Sequence, residues 1–217
     1  MLVMSATMDS DRVAAVIQAP IISSEGKQYP VELIYGRAAK IREKIADRTV
    51  ETIRQAESEN PNSSILVFLP GEGEIRQTLK KLLDTGFAHN ANVEVLPLFG
   101  SLSQQAQQYA IAPGHRKIVL ATNIAETSLT IEGVDVVVDS GLVRVPAFDP
   151  SSGMTRLVTQ RISSASSIQR AGRAGRLRPG KCYRLWSASQ QQELAVHAKP
   201  EIANADLVPL VLQLLRW

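Results

Sequence analysis

The chain has 217 residues, 44% apolar and 21% charged, with 13 Gly and 11 Pro. This excludes a disordered, collagen-like or low-complexity polymer and suits one sizeable α/β core. The net charge of +3 hides an asymmetry: residues 1–149 hold 14 Lys/Arg against 18 Asp/Glu, and residues 150–217 hold 10 against 3, with no acidic residue between 150 and 192. Such a block fits an anionic partner, phosphate or nucleic acid, or else a solvated basic face.

Strand and helix signals alternate along the chain. Leu2-Val3-Met4 is a short apolar run ending at Ser5-Ala6-Thr7. It begins without a preceding cap or loop, as expected for an excised piece. Residues 31–35 read as a strand and 40–58 as an amphipathic helix, with Ile41, Ile45, Val50 and Ile53 near helical spacing. The continuous apolar run 65–69 (ILVFL) predicts a strand covered on both faces, closed by Pro70-Gly71. A helix is expected over 74–83, a strand over 93–99, a helix over 103–111 and strands over 117–121 and 134–138. Two strand-like runs, 142–148 and 154–160, flank a Pro/Gly turn and predict an antiparallel hairpin. A helix over 163–173, a strand over 181–186, a short helix over 189–195 and an apolar helix over 206–215 complete the pattern. That last helix exposes apolar surface unless it folds back. The alternation implies an α/β fold: a parallel sheet sandwiched by helices, with the hairpin inserted. Such sheets bind ligands at the carboxyl ends of their strands.

No apolar run approaches ~18 residues, so no membrane span is expected, and MLVMSATMDS shows no secretory signal. The single Cys182 excludes an internal disulfide framework and fits a reducing cytoplasm. His89, His115 and His197 are too scattered for a metal cluster, so no metal site is expected in the chain.

The sharpest chemical signal is QRAGRAGR at 169–176. On a helix at ~100° per residue, Gln169, Arg173 and Arg176 fall within about 60° of arc, and Arg170 points elsewhere. Gly172 and Gly175 each cost roughly 1 kcal/mol of helix stability relative to Ala. Either a surface or ligand approaches the backbone closely there, or the helix ends near Arg173. Two guanidiniums on one face fit a triphosphate, and a carboxamide can position an attacking water. A basic helix end on a surface is the plainer alternative. Polar residues also cluster after the strand at 117–121, in TNIAETSLTI at 122–131, where hydroxyls and amides can bind phosphate or sugar oxygens or simply cap a helix. The turn after 65–69 lacks the Lys-Ser or Lys-Thr of a P-loop, and no GxxxxGK[ST] occurs in the chain.

In order, these segments resemble the DEAH-box helicases of superfamily 2, over nearly the whole chain. Ser5-Ala6-Thr7 looks like motif III, 68–71 like motif IV, 122–131 like motif V and 169–176 like motif VI. Within the group, the wording around 161–178 looks most like the bacterial HrpB type. The resemblance implies two RecA-like domains with ATP and Mg²⁺ between them, the P-loop lying on the first. Residues 1–20 would close that first domain and form a linker, 21–198 would be the second RecA-like domain, and 199–217 would begin a winged-helix region. Arg173 and Arg176 would be arginine fingers and Gln169 would position water. Glu132, with Gly133 and Asp135 nearby, would meet the nucleotide sugar. Gly71, Thr122, Asn123, Ser128 and Thr130 would contact the RNA backbone or relay to ATP, and Ser5 and Thr7 would couple hydrolysis to domain movement. The hairpin looks like the family's strand-separating wedge. Ile111 stands where eukaryotic members carry a Phe stacked on adenine. The expected function is therefore the second motor domain of an ATP-dependent RNA helicase, inactive without its P-loop partner. A nucleotide-independent nucleic-acid binding module and a non-helicase translocase are the alternatives, DNA being a possible second substrate.

Overall fold

The computed structural model describes residues 10–23, 29–40, 42–127, 129 and 131–217. Helix α1 (Ser10–Ile17) precedes strand β1 (Val31–Tyr35). Then follow α2 (Ile45–Glu59), β2 (Ser64–Phe68), α3 (Glu72–Asp84), the single turn α4 (Phe87–Asn90), β3 (Glu94–Leu98), α5 (Gln104–Ile111) and β4 (Lys117–Ala121). The short α6 (Ile124–Thr127) leads to β5 (Val134–Asp139) and on to β6 (Leu142–Asp149) and β7 (Met154–Arg161). Helix α7 (Ser164–Ala171), β8 (Gly180–Arg184), α8 (Ala188–Gln192) and α9 (Val208–Leu214) come last.

Six strands form one parallel sheet in the order β1-β8-β5-β2-β4-β3, and β6 and β7 pair antiparallel as a separate hairpin. The α/β architecture read from the alternating pattern is the one observed. Central β2, β4 and β5 are buried at every position, because helices cover both faces of the sheet. The period-2 alternation sorts their side chains into two cores. Ile65, Val67, Ile118, Leu120, Val136 and Val138 pack with Val50 and Ile53 of α2 and Ile75 and Leu82 of α3. Leu66, Phe68, Val119, Ala121 and Val137 pack with Ala110 of α5, Ala125 of α6 and Ala171 of α7. Each fully buried Ile, Leu or Val contributes roughly 1.5–3 kcal/mol of hydrophobic stabilisation.

Several boundaries differ from expectation. The helix expected from residue 40 starts at Ile45, because a turn precedes it: Glu43 N–H donates to the Lys40 carbonyl (3.1 Å) and the Lys40 N–H to Glu43 Oε2 (2.9 Å). The helix expected over 163–173 stops at Ala171, and the chain tightens into a turn where the N–H groups of Arg173 and Ala174 donate to the carbonyls of Arg170 and Ala171 (3.1 and 3.0 Å). Helices α1, α4 and α6 were not expected. The apolar helix near the end forms, but Val208, Leu210, Val211, Leu212 and Leu214 of α9 are exposed. The strand expected at 2–4 and the Ser5 and Thr7 sites lie outside the described residues.

Candidate nucleotide and nucleic-acid interface

The candidate residues separate onto different parts of the domain. At the carboxyl end of the sheet, β2 closes into Gly71, the cap residue of α3, and β4 runs into Thr122 and Asn123. Thr122 N–H donates to the Leu98 carbonyl of β3 (3.2 Å), which holds the turn to the sheet. The N–H groups of Ala125 and Glu126 then donate to the carbonyls of Thr122 and Asn123 (3.3 and 2.9 Å), starting α6. Asn123 is exposed at the mouth of a groove of about 920 Å³, which runs past Val143 and Val145 of the hairpin, Gln169 of α7 and the segment around His197 and Lys199. A Cβ on Gly71 would lie 2.7 Å from Nη1 of Arg144, the end of a flexible side chain that would have to move aside. Arg144 reaches down from β6 to donate to Glu74 Oε1 of α3 (3.1 Å).

Helix α7 is built to be held at both ends. Ser163 caps it, its Oγ accepting from Ser166 N–H (3.2 Å), and the N–H groups of Ser164 and Ala165 donate to the carbonyls of Ala195 and Val196 (2.8 and 3.0 Å). These bonds satisfy donors that would otherwise be orphaned in its first turn. Its inward face carries Ser167, Arg170 and Ala171. Arg170 is 0% exposed. Its Nε donates to Glu126 Oε2 (2.9 Å), its Nη1 to Asp139 Oδ1 (2.9 Å) and to the Leu142 carbonyl (3.2 Å). Its guanidinium also lies 4.8 Å from the centre of the Phe68 ring. Burial pulls its pKa down, but the charges of Asp139 and Glu126 outweigh that and raise it, so the side chain stays charged.

The turn after α7 carries the two candidate fingers. Arg173 is buried against the loop that follows α6, donating to the carbonyls of Leu129 (2.8 Å) and Glu126. Burial lowers its pKa to about 10, the neighbouring charge of Arg176 adds to the drop and Glu126 opposes it. Arg176 itself is exposed. Because the helix ends at Ala171, Gln169, Arg173 and Arg176 do not share a helix face as the regular-helix reading placed them. The glycines have separate reasons. A Cβ on Gly175 would lie 2.5 Å from the Tyr29 carbonyl at the entry to β1, whereas one on Gly172 would make only ordinary contacts with carbonyls of its own helix. Gly172 ends the helix, and Gly175 lets the turn dock against the sheet.

Glu132 and Gly133 sit exposed in the loop entering β5, Gly133 in the left-handed region at φ 75°. Asp135 is buried, and Arg178 binds both of its carboxylate oxygens. Of the acidic nucleotide candidates, Glu132 therefore offers a solvent-facing carboxylate, and Asp135 is engaged inside the protein. Ser128 and Thr130 lie outside the described residues.

Sequence reasoning missed Arg170, Glu126, Asp139, Arg144 and Glu74. One signal for Arg170 was present: Ser167, Ala171 and Ala174 recur at i, i+4 and i+7, a small-residue stripe that faces the sheet, with Arg170 on it. Its acidic partners are 31 and 44 residues away in sequence.

This arrangement has known counterparts. The model of the helicase conserved C-terminal domain matches residues 45–178. The chain belongs to that family. It is 45% identical to the ATP-dependent RNA helicase HrpB of Escherichia coli (strain K12), covering 100% of this chain and 27% of that protein. It is 39% identical to the ATP-dependent RNA helicase DHX33 of Mus musculus, over 99% of this chain and 32% of that one. A crystal structure of the Escherichia coli DEAH/RHA helicase HrpB superposes with a TM-score of 0.87 at 44% identity, over 99% of this chain and 27% of that one. The chain thus spans roughly 27–32% of the length of these relatives. As a helicase C-terminal domain it has the second RecA-like fold, and the sheet, the hairpin and the turn after α7 are the parts of it described above.

Proposed function

We propose that this chain is the second motor domain of a DEAH-box ATP-dependent RNA helicase, coupling ATP hydrolysis to movement along or unwinding of RNA. The carrying observation is the turn after α7, where Arg173 and Arg176 lie close enough for one charge to lower the pKa of the other. A polyanion relieves that repulsion, and a nucleoside triphosphate is such an anion. ATP with Mg²⁺ would bind between this domain and a P-loop domain and supplies the phosphoryl group whose transfer drives the cycle. Arg173 and Arg176 would stabilise charge on its phosphoryl oxygens, Gln169 would orient the attacking water, and Glu132 with Gly133 would lie toward the sugar. At the other end, Gly71, Thr122 and Asn123, with Ser128 and Thr130, would follow the RNA backbone, and the hairpin would part strands. Ser5 and Thr7 would couple the two domains. In this reading residues 1–20 belong to the first RecA-like domain and its linker, 21–198 form the second, 199–217 lead into a winged-helix region, and the enzyme works in the cytoplasm.

The test is steady-state ATP hydrolysis by the full helicase with and without single-stranded RNA. Arg173→Ala and Arg176→Ala should each lower the RNA-stimulated kcat by roughly 10³-fold or more. A loss below tenfold would remove them from the finger role. The 217-residue chain alone should hydrolyse no ATP, and robust turnover by it would overturn the reading.

A further inference from the structure

The turn at Asn123 and the turn at Arg173 are joined through Glu126. The Glu126 side chain is held by α7: Oε2 accepts from Arg170 Nε (2.9 Å) and Oε1 from Ser166 Oγ (2.6 Å). Its main-chain carbonyl accepts from Arg173. Its N–H donates to the Asn123 carbonyl (2.9 Å), so the same residue closes the turn at the groove mouth. Arg170 is fixed on its far side by Asp139, by the first carbonyl of the hairpin at Leu142 and by the Phe68 ring. One buried cation therefore meets the end of β2, α6, the end of β5 and the base of the hairpin. A guanidinium is a planar, rigid fork, so it transmits a displacement where a flexible ammonium would absorb it. The network is also not fully satisfied. Asp139 Oδ2 is buried without a donor among the described residues, while Arg170 Nη1 is shared between Asp139 Oδ1 and the Leu142 carbonyl. A shift of the hairpin base that releases Leu142 lets Nη1 turn wholly to Asp139, giving the network a second arrangement to occupy.

We propose that Arg170, with Glu126 and Asp139, is a positioning element that makes the placement of Arg173 depend on the state of the groove and hairpin. It touches neither nucleotide nor RNA. Displacement of α6 or of the hairpin base moves the Arg170–Glu126 unit, and Arg173 follows because its donor is bonded to the Glu126 carbonyl. The proposal rests on the helicase reading above.

The test compares Glu126→Gln and Arg170→Lys with wild type in the full helicase. It measures RNA-free and RNA-stimulated ATP hydrolysis, the KM for ATP, and the affinity for a fluorescent 12-nucleotide oligouridine. Coupling free energies typically correspond to 5–150-fold effects, so RNA stimulation should fall about tenfold or more. The RNA-free rate, KM and oligouridine affinity should stay within about threefold, since no contacting group is removed. Equal loss of the RNA-free and stimulated rates would show a purely structural role, and wild-type stimulation in both variants would show none; either overturns the proposal. Glu126→Gln keeps size and an acceptor, so it carries the test should Arg170→Lys fail to fold. A wild-type helicase unstimulated by RNA would overturn the functional reading and this proposal together. A stimulated wild type with unaffected variants would overturn the proposal alone.

Discussion

Strands β2 and β7 make the most instructive comparison in the molecule. Every residue of β2 is buried, and every residue of β7 is exposed. The first is paired on both sides, to β4 and β5, and covered by helices on both faces. The second has one partner, β6. A two-stranded ribbon is marginal by itself, so this hairpin relies on polar ties at its edges. Arg144 binds Glu74, Arg161 binds Glu193 (3.0 Å), and Phe148 N–H donates to the Asn204 carbonyl (2.9 Å). The sheet is a frame held by apolar burial; the hairpin is an arm held by a few contacts that can exchange for others. That division is what the function proposed above would use, a frame that keeps its shape and an arm that engages a polymer.

Breaking the frame should cost most. Ile65→Ala in β2 should lower the unfolding free energy by roughly 2–5 kcal/mol, read from urea denaturation, because the buried site cannot collapse. A change under 1 kcal/mol would mean that the centre of the sheet is less tightly packed than its burial implies. Cutting one tie of the arm should do far less. Arg144→Ala should cost about 0.2–1 kcal/mol, since the pair is partly exposed. It should speed hydrogen exchange across 143–160 and leave β2 unchanged; equal acceleration in both would abolish the contrast. On the exposed strand, Leu157→Ala should stay within about 0.5 kcal/mol of wild type.

Two further measurements sharpen the contrast through titration. Burial pushes the Cys182 thiol of β8 up to about 12, so it should resist alkylation at pH 8 until the sheet unfolds. Labelling on the native-state timescale would show that the frame opens locally. At the surface, the Arg37 guanidinium beside Glu43 holds that carboxyl at about 2, below its ordinary 4.5. Its contribution is therefore present above pH 4.5 and is lost as pH falls through about 2. Glu43→Gln should lower the Tm slightly at neutral pH, with the difference shrinking across that acid range.

The sheet was legible in sequence because runs such as 65–69, 118–121 and 136–138 have no polar face to present to water. The hairpin was legible from its Pro/Gly turn. Helix α6 was not, since four residues carry no periodicity; contacts with α7 hold it. The common face of Gln169, Arg173 and Arg176 rested on continuing a helix through Gly172, and the chain's turn at that glycine removed it. Arg170 was set aside because it pointed away from that face, and what it points at is assembled from distant segments.

The charge along the chain shows the limit most directly. Residue order alone determined that the basic residues concentrate after residue 150 and that motif VI holds three arginines. Only the tertiary structure decided which of those charges meet carboxylates: Arg170 lies between Glu126 and Asp139, Arg178 against Asp135, and Arg161 against Glu193. Electrostatic energy depends on separation through space and on burial, and neither is set by separation along the chain. The block that reads as one basic surface is therefore partly internal wiring. In the turn after α7, Arg173 is buried on the carbonyls of Leu129 and Glu126 and Arg176 is exposed; these two are the residues proposed above to meet an anion from outside.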